Sequence, residues 1–111
     1  MSTEVEKLAK TLKVLGDFNR LSIVSSINKD SRSVTEIINA TGLSQTLVSF
    51  HLRALRNVGI VKTRREGPFI YYSLTEPSLI DILHDLQLAV NSKELIVEQI
   101  FESKPNRLSK K

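Results

Sequence analysis

Gln45, Thr46, Ser49 and Arg53 recur at steps of one, three and four residues, and Arg56 follows three further on. On a helix that turns about 100° per residue, Val48, Leu52 and Leu55 converge within roughly 60° of one another and make the face that a core would take. Gln45, Thr46, Ser49 and Arg53 fall opposite them, with Phe50 and Arg56 at the two margins. An amide, two hydroxyls and a guanidinium near a helix N-terminus are the groups that base edges and phosphates require. Gln pairs with adenine, Arg with guanine, and Thr or Ser with either or with phosphate. The same side chains would also suit a plain solvated helix surface. Phe50 weighs against that reading, because an aromatic ring on a polar margin is either tucked beneath a neighbour or offered to a partner such as a thymine methyl. A second set of cations follows, Lys62, Arg64 and Arg65, beside Gly67 and Pro68. Placed on a hairpin next to such a helix, they would neutralise phosphates of the flanking backbone and minor groove.

Short elements must hold these groups. Val5, Leu8, Ala9, Leu12 and Leu15 have helical spacing, with Ser2 or Thr3 as N-cap and Gly16 as the stop. Asp17 opens a second helix with Leu21, Val24 and Ile27 on its apolar stripe and Ile23 alongside, which runs out in the polar stretch 28–33. Ser33 and Glu36 have capping-box spacing and start a third helix bearing Ile37 and Ile38, which Thr41 and Gly42 stop. Ser44 caps the fourth, from Gln45 to about Asn57, and Gly59 ends it. Residues 60–65 and 69–74 are rich in β-branched and aromatic types and read as a hairpin with Pro68 at its tip. A fifth helix follows Thr75 and Pro77, with Leu79, Ile82, Leu83, Leu86 and Val90 on one face, and Asn91 with Glu94 predicts a capping box that opens a sixth. The expected fold is mainly α with a two-stranded β-hairpin. Its order of helix, turn, helix and wing is that of a DNA-reading module, a winged helix-turn-helix.

Composition narrows the alternatives. With 111 residues there is room for one domain, expected over 1–102, followed by a basic tail at 103–111 that reads as disordered. So short a chain buries only about two-thirds of its unfolded surface, which favours an oligomer that hides more apolar area. Four of the 16 basic residues lie in the tail, leaving twelve against the 12 acidic ones, so the body is neutral and its charge is segregated. Cations run unopposed from Arg53 to Arg65, whereas Glu76, Asp81, Asp85, Glu94, Glu98 and Glu102 face only Lys93. That asymmetry suits a polyanion on one side. The absence of cysteine removes disulfides, thiolate metal sites and cysteine nucleophiles together. No apolar run exceeds the four residues 69–72, and residues 1–13 alternate charge with apolar side chains, so neither a membrane span nor a signal peptide is expected and the location is expected to be cytoplasmic. The four glycines form no phosphate-cradling loop or nucleophile elbow, and no catalysis or cofactor is expected.

The run Leu43-Ser44-Gln45-x-x-Val48-Ser49-x-His51-Leu52-x-x-Leu55-x-x-x-Gly59-Ile60-Val61, continued by Arg65-x-Gly67 and Tyr71-Tyr72-x-Leu74, resembles the recognition helix and wing of the ArsR/SmtB family. Leu15-Gly16-Asp17-x-x-Arg20-Leu21-x-Ile23 is similar to that family's second-helix signature, with Phe18 where proline is usual, so the likeness covers about residues 8–90. The resemblance implies a homodimeric repressor of transcription at a palindromic operator in double-stranded DNA. It places Gln45, Thr46, Ser49, Phe50, Arg53, Arg56, Lys62, Arg64 and Arg65 against DNA, and Leu8, Leu12, Leu79, Leu83, Leu86 and Val90 in a dimer interface formed by the first and fifth helices.

The departures from the family pattern bear on control. Ser33 and Thr35 stand where soft-metal sensors of the family keep cysteines, and Glu76, Ser78, Ala89 and Ser92 stand where zinc sensors keep ligands, so no metal site is expected at the usual places. Control would come from an organic ligand or partner at the dimer interface, or from the protein's abundance, and the sequence assigns no effector. Histidine is common in the family where Phe50 sits, so base preference does not carry over. Of the two histidines, His51 falls beside Leu55 and reads as packed and hydrogen-bonded, whereas His84 with Asp81 and Asp85 is a minor candidate for a non-standard metal site. The competing functional reading is a winged-helix module that docks protein through Phe50 and the wing, and salt dependence separates the two.

Overall fold

The computed structural model describes residues 3–100, with side chains as far as Asn91. Two compact units divide the chain, Met1–Ile80 and Asp81–Lys111. The first contains α1 (Glu4–Leu15), α2 (Phe18–Ile27), β1 (Arg32–Ser33), α3 (Val34–Thr41), α4 (Gln45–Asn57), β2 (Val61–Glu66) and β3 (Phe69–Leu74). α5 (Leu79–Ile100) begins at its end and makes up the described part of the second.

Local chemistry sets most helix boundaries. Thr3 and Glu6 form a reciprocal capping box, the Thr3 hydroxyl accepting from the Glu6 amide at 3.0 Å and the Glu6 carboxylate from the Thr3 amide at 2.8 Å. Asp17 accepts from the Arg20 amide at 3.1 Å, Ser33 from Glu36 at 3.2 Å and Ser44 from Leu47 at 3.2 Å. Gly42 stops α3 in the left-handed region, φ 76°, where a side chain would be strained, and turns the chain into α4.

The core of the first unit is aliphatic. Ile23, Val24 and Ile27 of α2, Ile37 of α3 and Val48, Leu52 and Leu55 of α4 are buried, together with Ile60, Val61 and Leu74 from the base of the hairpin. Each such side chain contributes about 1.5–3 kcal/mol on leaving water, and together they fix α4 against α2 and α3. Of the apolar side chains expected on α2, Ile23, Val24 and Ile27 are buried, whereas Leu21 lines an open outer hollow with Phe18.

Two further expectations need correction. The sheet has three strands in the order β1-β3-β2, all antiparallel, because Arg32 and Ser33 pair with Tyr72 and Tyr71 and so cover the second edge of β3. A strand of two residues has no periodicity to read. The sixth helix does not exist as a separate element, since α5 runs unbroken through Asn91 and Glu94 to Ile100. No glycine or proline interrupts it, and polar residues such as Asn and Ser cost a growing helix at most about 0.7 kcal/mol each, so a capping signal inside it is not a stop. The basic tail lies outside the described residues.

Candidate nucleic-acid interface

α4 presents its two faces as its sequence pattern requires. Val48, Leu52 and Leu55 are inside, and Gln45, Thr46, Ser49, Arg53 and Arg56 are exposed. Gln45, Thr46, Ser49, Phe50 and Arg53 line a shallow hollow of about 410 Å³. Ser49, Arg53, Arg56 and Asn57 line a second hollow of similar size, which Leu52 floors and the hairpin residue Tyr72 closes. Ser49 and Arg53 belong to both, so one polar strip runs the length of α4 and onto the wing, and neither hollow has a carboxylate in its lining. Donors and cations without acids form a surface suited to base edges and phosphate.

His51 is only 6% exposed. Its Nδ1 accepts a hydrogen bond from Arg20 Nε at 3.3 Å, and Arg20 also donates through Nη1 to the Val14 carbonyl at 3.3 Å. The expected packed and hydrogen-bonded role is the observed one. Phe50, next to it, is 60% exposed.

The wing divides the three hairpin cations. Cross-strand partners share a face, and the register pairs Val61 with Leu74, Thr63 with Tyr72 and Arg65 with Ile70. Arg65 therefore stands on the face that carries the buried Val61 and Leu74 and the Tyr72 that meets α4. Lys62 and Arg64 stand on the other, with Ser73 and Tyr71. Arg64 is further engaged, its Nη1 3.0 Å from Glu66 Oε1 and its guanidinium 5.0 Å from the centre of the Tyr71 ring. Arg53, Arg56 and Arg65 make no ion pair with another described residue. Sequence reasoning grouped Lys62, Arg64 and Arg65 as one cluster and missed Tyr72. The period-two pattern that places Tyr72 with Leu74 on the inner face was the available signal.

The remaining candidate positions fall elsewhere. Leu8 and Leu12 are exposed on α1; on α5, Leu86 and Val90 are exposed, whereas Leu79 and Leu83 are half-buried. Ser33 is occupied as the N-cap of α3, and Ser78 donates to Glu76 Oε2 at 3.3 Å. Asp81, His84 and Asp85 lie on α5, and among the described residues no group of three His, Cys, Asp or Glu side chains is placed to hold a metal ion. Among those residues no helix is long and apolar enough to cross a membrane.

Helix, turn, recognition helix and hairpin wing together define a winged helix-turn-helix domain, the class of DNA-binding regulators. The chain belongs to the ArsR family of bacterial regulatory proteins, whose model matches residues 17–63, from the α2 cap into β2. It is 35% identical over 86 residues to the cadmium resistance transcriptional regulatory protein CadC of Listeria innocua, a match covering 77% of this chain and 70% of that one. Among solved structures, HlyU from Vibrio cholerae superposes with a TM-score of 0.70 at 32% identity, over 78% of this chain and 97% of HlyU. The homodimeric winged helix-turn-helix DNA-binding domain of Mb0332 from Mycobacterium bovis does so with a TM-score of 0.71 at 28% identity, over 86% and 85%. The protein is a DNA-binding transcriptional regulator.

Proposed function

We propose that this regulator binds a palindromic operator as a homodimer and represses the promoter that the operator overlaps. The observation that carries this reading is the continuous, acid-free polar strip from Gln45 along α4 to Tyr72. In each protomer that strip enters the major groove, with Gln45, Thr46, Ser49 and Arg53 at base edges and Arg56 near the backbone. Arg65 reaches flanking phosphate from the inner face of the wing, and Lys62 and Arg64 add positive potential from its outer face. The apolar side chains of α1, Leu8 and Leu12, and those of α5, Leu79, Leu83, Leu86 and Val90, supply the dimer contact. The homodimeric Mb0332 domain supports this assembly. Its site of action is the cytoplasm, where bacterial DNA lies.

The test is footprinting and gel shift with the DNA upstream of the protein's own gene. Protection of two half-sites about one helical turn, roughly 34 Å, or a small multiple of it apart is expected, with weaker binding to scrambled duplex. A promoter-reporter fusion should fall on expression of the protein and recover with Arg53→Ala. Equal affinity for operator and random DNA at all salt concentrations refutes specific readout, and a reporter that rises refutes repression.

A further inference from the structure

We propose that Phe50 is a specificity-determining residue that receives the 5-methyl group of a thymine, so that each operator half-site contains one thymine read through its methyl. The proposal rests on the operator reading above and names the base-edge group that the apolar margin of α4 takes.

Phe50 is exposed on a helix that buries Val48, Leu52 and Leu55. Its ring meets the neighbouring His51 ring edge to face, with centroids 5.2 Å apart and planes at 74°. His51 is itself buried, so it braces the ring from the inner side only. Toward solvent, Phe50 forms the apolar wall of the first hollow, whose other walls are Gln45, Thr46, Ser49 and Arg53. Leu47, also exposed, precedes Phe50 by three residues but is not part of that hollow.

The composition of the hollow selects its occupant. A protein docking site gathers apolar side chains at its centre and leaves polar ones at the rim. Here one aromatic wall faces an amide, two hydroxyls and a guanidinium with no acid. In the major groove, thymine presents an apolar methyl next to the O4 acceptor, and no other base of ordinary DNA combines the two. Thr46 lies one turn before Phe50 and Arg53 one turn after it. A methyl against the ring therefore leaves O4 facing hydroxyl and guanidinium donors. Cytosine in the same place would present an amino donor to those donors and nothing to the ring.

The experiment replaces thymine by deoxyuridine, which removes the methyl and keeps every hydrogen-bonding group. The full chain first selects half-sites from a random duplex pool. The selected duplex is then resynthesised with deoxyuridine at each thymine in turn. At one thymine per half-site, affinity is expected to fall roughly fourfold, the worth of one buried methyl-sized group, and about fifteenfold when both half-sites are changed. Phe50→Ala, checked for an unchanged thermal melt, should bind the thymine and uracil duplexes equally and retain the wild-type salt dependence. Three results overturn the proposal: a selected half-site without an invariant thymine, no deoxyuridine effect at any position, or a variant that keeps the wild-type preference for thymine, as it would if Phe50 served a protein partner. The wild-type arm can overturn the proposal without any variant. A wild type that selects no sequence overturns the operator reading itself, and this proposal falls with it. One that selects a palindrome but ignores the methyl overturns this proposal alone.

Discussion

Replacing Arg65 by alanine should flatten the salt dependence of operator binding, and replacing Arg64 should do so much less. The two residues are adjacent in β2 but stand on opposite faces. Arg65 shares its face with Tyr72, which meets α4, and makes no ion pair with another described residue. Arg64 sits 3.0 Å from Glu66 and over the Tyr71 ring, so its charge is partly neutralised before DNA arrives. Each phosphate neutralised on duplex DNA adds about 0.9 to the slope of log affinity against log salt. A dimer that loses two Arg65 contacts should therefore lose about 1.8 of slope, and between 50 and 200 mM salt its affinity should fall about twelvefold less than that of the wild type. Arg64→Ala leaves the Glu66 carboxylate uncovered, which lowers affinity by repulsion, and Glu66→Gln in the same chain should restore most of it. Fluorescence anisotropy across that salt range, on operator and on scrambled duplex, measures all of these. Both duplexes should shift alike, because phosphate contacts carry no sequence information. An Arg65→Ala slope equal to wild type, or an Arg64→Ala slope that falls as far, would refute the assignment of faces.

Leu8→Glu or Leu86→Glu should convert the dimer to monomer in light scattering at micromolar concentration and lower operator affinity at least about tenfold; a wild type that is already monomeric contradicts the assembly. Arg20→Met strips the donor from the buried His51 and from the Val14 carbonyl and should cost about 1–3 kcal/mol in urea unfolding. Gly42→Ala meets no atom within 4 Å, so its cost is backbone strain alone, about 1–2 kcal/mol by the same measurement. Operator affinity should be unchanged by arsenite, cadmium or zinc, since Ser33 is a helix cap and the resemblance puts Ser78, Ala89 and Ser92, none of them a strong metal ligand, at the usual zinc positions. A tenfold shift that His84→Ala abolishes would show a metal site on α5 instead.

What could be read from the sequence was what is decided locally. Thr3, Asp17, Ser33 and Ser44 each satisfy an amide three residues ahead, and that geometry needs nothing from the rest of the fold, so the starts of the first four helices were legible. The division of α4 into core and reading faces was legible for the same reason, since rotation per residue is a property of the helix. β1 was not, because two residues become a strand only when β3 arrives beside them. Which of Arg64 and Arg65 takes the inner face was hidden too. Each hairpin side chain's face depends on where the turn falls, and a shift of one residue exchanges the faces. The continuity of α5 was missed because Asn91 and Glu94 satisfy a capping rule that an already growing helix has no need to use.

The buried polar contact of α4 explains why a histidine beside the reading face is not itself a reader. Aliphatic packing by Val48, Leu52 and Leu55 decides which face of the helix is buried, but small rotations about that orientation cost it little, because dispersion contacts have little directional preference. A hydrogen bond weakens steeply with angle, and the one from Arg20 to His51 ties α4 to α2 while the second bond from Arg20 ties it to the last turn of α1. A small rotation of α4 about its axis would bend that bond and redirect the outer strip that carries Ser49 and Arg53. The Arg20 contact resists that rotation, and the His51 ring that it holds packs against the ring of Phe50. The orientation of the outer face is thus set by aliphatic packing and refined by a polar contact on the inner one.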